Sequence, residues 1–339
     1  MTELKNDVIG IILGRWRSQV LYSAVKLGVF DDLAHGPKDA IQISRGLTLD
    51  LTLAYRLLRA NASLGVLHEG PGRVFSLSAA GEFLRKDHPE TPRGVALLEE
   101  GPEHYALWNH LPQMVRDGKQ NAFVREFGRM AFDHAAKSPE YAQVFNEAMS
   151  SYSATQTAWT LEALAKYDFA GVSRVCDVGG GQGHLLCSLL VSRPGLSGSV
   201  LELESVIKDR NLLWADKMGV AGRCMYAAGS MFESVPPADL YMMKMIIHDW
   251  NDAECIKIFS NCAKSASRGG RVLVVENVVP GPETPHFAKL FDIHMTCWGT
   301  GRERTVDEHA ALLEKSGWRY VRAWYPASHM IGVIEGRLA

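Results

Sequence analysis

The sequence predicts an α/β chain: a doubly wound, Rossmann-like sheet over residues 171–339, entered through helices over 101–170 and preceded by a helical, winged-helix-like module over 1–100. Three observations carry this reading. After Gly171, apolar runs of strand length alternate with helical patterns, which calls for a parallel sheet covered on both faces. The first run, Val175-Cys176-Asp177-Val178, passes directly into Gly179-Gly180-Gly181-Gln182-Gly183 and then an apolar helix from His184. Before about Leu84, helical segments give way to a short hairpin pattern, and 339 residues exceed one average domain.

Taken in order, Ile11–Leu33 carries Val20, Leu21, Ala24, Val25 and Leu27 at helical spacing, and Thr48–Leu64 repeats the signal. Gly65-Val66-Leu67, a Pro71-Gly72 turn and Val74–Leu77 read as a two-stranded wing. Residues 1–100 hold 12 Lys+Arg against 12 Asp+Glu, and the helix from Thr48 offers only Arg56 and Arg59. That neutral balance lacks the electrostatic footprint of nucleic-acid binding, so the module is expected to make a homodimer. From Glu103 to about Lys166 further helices follow, one of which places Phe145 and Met149 on a shared face. Strands are expected at Arg174–Val178, Ser199–Leu203, Arg223–Ala227, Asp239–Lys244 and Arg271–Val278. A helix near Val306–Ser316 and closing strands near Tyr320–Tyr325 and Met330–Glu335 complete the chain.

Composition excludes several classes. A net charge of -2 gives no bulk attraction for nucleic acid or an anionic membrane. The N-terminal stretch shows no secretory pattern and there is no run of about 18 apolar residues, so a cytoplasmic protein is expected. Six cysteines without Cys-x-x-Cys or His/Cys ligand spacing read as buried reduced thiols. His248, Asp249 and Asp252 cluster, and His104, His110, His134 and His294 are available, but no spacing matches a preformed metal site, so no metal is expected.

The glycines matter because backbone N–H groups at a strand-to-helix turn can approach a ligand where a Cβ would collide. A dinucleotide fingerprint fails, since the fifth residue after Gly179 is His184, and no Gly-Lys-Ser/Thr closes a P-loop. Asp177 with Gly179, Gly181 and Gly183 gives D-x-G-x-G-x-G, which resembles motif I of the S-adenosylmethionine (SAM) dependent methyltransferases, and implies the class I methyltransferase fold and SAM as cofactor. Glu202 ends the second strand, where a carboxylate can accept both ribose hydroxyls.

Further along, Lys244-x-x-x-His248-Asp249-Trp250 and Gly301-Arg302-Glu303-Arg304-Thr305 resemble the caffeate- and acetylserotonin-type O-methyltransferases and their bacterial small-molecule relatives. The similarity spans nearly the whole chain, including the helical N-terminal module and the Phe145-Asn146-x-x-Met149 segment. The resemblance implies His248 as general base, flanked by Glu276 and Glu303. It implies cofactor contacts at Gly179, Glu202, Ser230, Met231 and Lys244, and an acceptor pocket lined by Phe145, Met149, Asp249, His294 and Trp298.

The implied chemistry is simple. The methyl group is already activated on a sulfonium, so the protein aligns the acceptor oxygen and removes its proton. With an ordinary pKa of about 6.5, histidine is expected to be neutral, and a neighbouring carboxylate stabilises the imidazolium formed. The sequence departs from the family in carrying Ser230 where an aspartate commonly accepts from adenine, Glu202 for the commoner aspartate, and Glu204 where proline is frequent. The expected function is methyl transfer to a hydroxyl of a small aromatic metabolite. The same scaffold serves N- or C-transfer or a non-methylating reaction, and a SAM-sensing winged-helix regulator is the alternative of a different class.

Overall fold

The computed structural model describes residues 2–339 and divides into two compact units. The first comprises the chain up to Asn109 together with Phe132–Tyr152; the second comprises His110–Ala131 and Ser153–Ala339.

In the first unit the helix expected over Ile11–Leu33 is three helices, Thr2–Ile12, Gly14–Lys26 and Val29–Leu33. Gly28 causes one break, since its φ of 79° lies in the left-handed region that only glycine enters without penalty. Helix Ala40–Gly46 opens on a capping box between Asp39 and Gln42, and Leu51–Ser63 opens on Asp50, whose carboxylate accepts the Leu53 N–H. The expected hairpin is formed by β2 (Leu67–Gly70) and β3 (Val74–Leu77), joined through Pro71–Arg73. A third strand, β1 (Lys38–Asp39), pairs antiparallel with β3 and was not anticipated, because two polar residues carry no strand pattern. Val25, Phe30, Ile43, Leu58, Leu67 and Phe75 fill the core of these elements. Helix Arg93–Glu99 crosses the 26-residue helix Pro139–Leu164 so closely that a Cβ on Gly94 would lie 2.5 Å from the Glu147 carbonyl carbon. Arg93 and Glu147 form an ion pair at that crossing. Leu4, Ile11, Ile12 and Trp16, on the first two helices, leave large apolar side chains exposed.

The second unit is built on seven strands in the order β6-β5-β4-β7-β8-β10-β9. These are β4 (Arg174–Val178), β5 (Ser197–Glu202), β6 (Cys224–Ala228), β7 (Ala238–Lys244), β8 (Ala266–Glu276), β9 (Trp318–Trp324) and β10 (Gly332–Leu338). The first five are mutually parallel, but β10 runs antiparallel to β8 and to β9, so the sheet is mixed, whereas strand–helix alternation had predicted it parallel. The short link from β9 to β10 explains this: it holds no crossover helix, and a parallel pairing needs one.

Alternate residues of each strand feed opposite cores. Val175, Leu240, Met242, Leu273 and Val275 pack on one face with Leu185, Leu186, Leu189 and Leu190. Cys176, Val178, Tyr241, Met243, Val272 and Val274 pack on the other with Ile258, Phe259, Leu312 and Trp318. That strict alternation between two dry faces is why the strands read as unbroken apolar runs. Strand order reverses between β4 and β7, and a ligand crevice lies outside the carboxyl ends of strands at such a reversal. All six cysteines are buried, and no helix among the described residues is long and apolar enough to cross a membrane.

Candidate active site

The glycine loop leaves β4 at that reversal. Gly179, Gly181 and Gly183 all have positive φ, at 68°, 57° and 88°, so the turn depends on their missing side chains. Their surroundings differ. A Cβ on Gly179 would meet Ile246 Cδ1 at 2.5 Å and one on Gly183 would meet the Tyr226 hydroxyl at 2.7 Å, whereas one on Gly181 would meet nothing within 4 Å. The middle of the loop therefore faces open space while its ends are clamped by protein. Tyr226, on β6, donates to the Gln182 carbonyl at 2.8 Å and braces the loop from below.

Asp177 lies beneath this turn. It is buried, accepts from the Leu186 backbone, and one of its oxygens has no partner among the described residues. Burial, reinforced by the Glu202 charge, outweighs the pull of Lys244 and raises its pKa to about 7. Glu202, at the end of β5, accepts the Gly181 N–H at 3.1 Å on one oxygen and the Leu203 N–H at 2.7 Å on the other. Burial pushes its pKa up. Lys244, ending β7, donates to the Gln156 side chain at 3.2 Å, and burial lowers its pKa. Ser230 follows β6 and uses its hydroxyl to accept the Phe232 N–H at 3.3 Å; the next carbonyl, of Met231, accepts from Asn261. An open glycine turn ringed by the half-buried Lys244 cation, the half-buried Glu202 and the buried Asp177 fits a cofactor that carries ammonium, carboxylate and sugar hydroxyl groups.

The second half of the site begins two residues beyond Ile246, the side chain packed on Gly179. After β7 the backbone reverses at Met245, whose φ is 53°, and enters a short helical turn, Ile247–Asp249. The carboxylate of Glu276, at the end of β8, accepts the N–H groups of Ile246, Ile247 and His248 at 3.1, 2.8 and 3.3 Å, and so caps this turn. Its other oxygen is 3.6 Å from His248 Nδ1. Glu303 makes the shorter contact, accepting from Nδ1 at 2.7 Å, and Asp249 Oδ1 lies 3.6 Å from Nε2. With Nδ1–H committed to Glu303, the Nε2 lone pair is the free basic position of the ring.

Three carboxylates around one imidazole change its proton affinity. Burial disfavours the imidazolium, yet the charges of Glu276, Glu303 and Asp249 and the Glu303 hydrogen bond prevail and raise the pKa to about 10. This corrects the expectation of a neutral imidazole at pH 7. The carboxyl pKa values rise as well, burial lifting Glu276 to about 7 and Asp249 to about 6 against the pull of the His248 charge. His248, Glu276 and Glu303 bring metal-ligand atom types within 4.8 Å of one another, and N–H donors of the chain itself occupy one oxygen of each carboxylate.

His294 and Trp298 lie on helix Phe287–Trp298, where Phe291 stacks between the His248 and His294 rings at 6.0 and 5.1 Å. Trp298 packs edge-on against Phe123 at 5.6 Å. Phe145 and Met149 belong to the first unit, where Phe145 stacks on Tyr141 and meets Phe132 edge-on, both at 6.1 Å. Sequence reasoning missed Tyr226, Ile246, Asn277, Phe291 and Arg304. The buried Arg304 guanidinium donates to the carbonyls of Ile247 at 3.0 Å and Trp250 at 2.8 Å and pairs with Asp252, pinning the turn that carries His248. Its place beside Glu303 was the one available signal.

Comparison with known proteins bears on this geometry. Residues 108–319 match the O-methyltransferase domain model and residues 9–87 the O-methyltransferase dimerisation domain model. The phenazine O-methyltransferase PhzM of Lysobacter antibioticus is 33% identical, over 98% of this chain and 96% of its own. The mitomycin biosynthesis 6-O-methyltransferase of Streptomyces lavendulae is 32% identical, over 99% and 95%. The crystal structure of CalO1, a methyltransferase in calicheamicin biosynthesis in its SAH-bound form, superposes with a TM-score of 0.85 at 27% identity, covering 100% of this chain and 99% of that one. A glycine loop at the strand reversal, a buried histidine held by two glutamates, and matches to both domain models converge: the chain belongs to the SAM-dependent O-methyltransferase family, with an N-terminal dimerisation domain.

Proposed function

We propose that this enzyme methylates a hydroxyl of a small aromatic metabolite with His248 as general base. The observation that carries the reading is Ile246, which packs on Gly179 of the cofactor loop and lies two residues before His248, so that one short segment joins the two halves of the chemistry. SAM supplies a methyl group already activated on a sulfonium. Gly181, Glu202 and Lys244 would hold it, with Ser230, Met231 and Asp177 completing the loop surroundings. Glu303 fixes the imidazole with Nδ1–H inward, Nε2 takes the acceptor proton, and Glu303 and Glu276 stabilise the resulting cation. Asp249, His294 and Trp298 are proposed to contact the acceptor. Relatives named for phenazine and mitomycin O-methylation support a hydroxylated acceptor of that general kind.

Once His248 has lost its own proton, its raised basicity matches a phenol, whose pKa is also about 10, so the transfer itself is near thermoneutral and turnover is set by the unprotonated fraction. The test is S-adenosylhomocysteine release from SAM with a panel of hydroxylated aromatics, with product NMR to locate the methyl group. Release with no acceptor in a broad panel, or transfer to nitrogen or carbon, would overturn the reading. Gly181→Leu is expected to abolish SAM binding by calorimetry while the protein stays folded, because the side chain meets no protein atom, fills the open side of the loop and strains the left-handed backbone there by only about 1–2 kcal/mol. Undiminished affinity would remove the loop from the cofactor site.

The first unit, read as a winged-helix-like module over residues 1–100 with the catalytic domain over 101–339, is proposed to form a homodimer. Its exposed Leu4, Ile11, Ile12 and Trp16 give a second copy an apolar surface to cover, and light scattering should show a dimer at micromolar concentration. A cytoplasmic location fits the six buried thiols.

A further inference from the structure

We infer that Asn277 is a positioning residue for the general base: its side-chain amide holds the same Glu303 oxygen that accepts the His248 Nδ1–H. The inference rests on the base assignment proposed above. Asn277 is buried at the end of β8, directly after Glu276, and its Nδ2 lies 3.2 Å from Glu303 Oε1, which in turn lies 2.7 Å from His248 Nδ1. Glu303 is thereby held at two levels. Its backbone N–H donates to Asp292 at 2.9 Å, fixing where the residue starts, and Asn277 fixes where its carboxylate ends.

The second anchor is needed because the first leaves the carboxylate free to turn. Glu303 Oε2 is buried with no hydrogen-bond partner among the described residues, so the orientation of the group rests on what meets Oε1. An amide N–H beside that oxygen favours the rotamer facing Nδ1. Without it, the buried carboxylate is free to rotate away from Nδ1, which would release the imidazole from its tautomer. Asn277 touches no reacting atom. It acts through Glu303.

The test is a double-mutant cycle on the full-length enzyme, using Asn277→Leu, Glu303→Gln and the pair with an acceptor identified by the panel above. Asn277→Leu is expected to lower kcat on its high-pH plateau roughly tenfold, with SAM affinity by calorimetry and acceptor KM within about twofold of wild type. The acid limb of its kcat profile should move to lower pH, because the carboxylate that sustains the imidazolium is held less firmly. The titratable and charged groups that bear on this limb are Glu276 from β8, Asp249 on the turn, Glu303 with Arg304 from the following loop, Asp292 from helix Phe287–Trp298 and His309 from helix Val306–Glu314, which burial keeps neutral. In the Glu303→Gln background the same substitution should cost almost nothing more, since the residue through which it acts is already changed. Equal losses in both backgrounds, an unmoved pH limb, or a loss appearing in SAM affinity or melting temperature instead of kcat would overturn the inference and leave Asn277 a packing residue. Full turnover in Glu303→Gln alone would overturn the base assignment beneath it.

Discussion

Replacing His248 by alanine is expected to lower turnover by roughly 100- to 10,000-fold while SAM affinity stays nearly constant, because the imidazole handles the acceptor proton and contributes little to holding the cofactor. The pH dependence sharpens the test. A base must lose its own proton before it can take another, and Glu276, Glu303 and Asp249 keep that proton on His248 to a pKa of about 10. In the wild type, kcat/KM for a phenolic acceptor should therefore keep climbing through about pH 7 to 9, where an unperturbed histidine of pKa about 6.5 would already have levelled off. The alanine variant should also climb with pH as the phenol ionises unaided, in parallel with the wild type but from its far lower level. Glu303→Gln should fall between the two. Near-normal turnover in His248→Ala, or a wild-type profile flat above pH 7, would remove the assignment.

Gly301→Ala is expected to be nearly as damaging without altering any chemical group. A Cβ at Gly301 would lie 1.8 Å from the His248 carbonyl oxygen, 2.4 Å from the Asp249 carbonyl carbon and 2.6 Å from the Trp250 nitrogen. All three are backbone atoms, so no rotamer change relieves the clash. The Gly301 carbonyl accepts from Gln120 at 3.0 Å, which tethers this loop as well, and Arg304 holds the facing turn by two carbonyls. One segment must move by an ångström or more, and a displacement of that size next to a proton-transfer site costs on the order of 100-fold in rate. Overpacking of this kind also lowers stability by about 1–3 kcal/mol. Turnover within a few fold of wild type at an unchanged melting temperature would show that the two loops are not packed as described.

The strands of the sheet were legible because they sit between two dry faces. Val272-Leu273-Val274-Val275 alternates between cores, yet all four residues are apolar. The glycine loop was legible for a related reason: a turn with three positive-φ residues narrows the choice to glycine. His248 and Glu303 were found through a family resemblance, since 55 residues separate them and no local pattern announces a contact formed by the fold. Asn277 was invisible for the same reason. What could not be read were features set by partners rather than by the segment itself. β1 is two polar residues that become a strand only because β3 offers an edge, and β10 runs antiparallel because its link from β9 is too short for a crossover. The proton affinity of His248 belongs to this class too, as it depends on three carboxylates from three places in the chain.

The position of β10 carries a consequence for how the molecule is made. β10 lies between β8 and β9, yet follows both in sequence. During synthesis, β8 therefore waits with one edge unpaired while more than 50 further residues, from Asn277 to Ile331, leave the ribosome. The waiting strand displays Val272–Val275, and a β-rich, uncharged, unpaired edge is the kind of surface that recruits other chains. Helix Asp252–Ser265, formed just before β8, can shield one face of the nascent sheet but not its edge. Glu276 ends this same strand and caps the turn that carries His248. The catalytic geometry is thus anchored to a strand whose pairing closes late, and substitutions within Gly332–Leu338 should first be felt as a lower yield of soluble protein, before any change in the kinetics of molecules that fold.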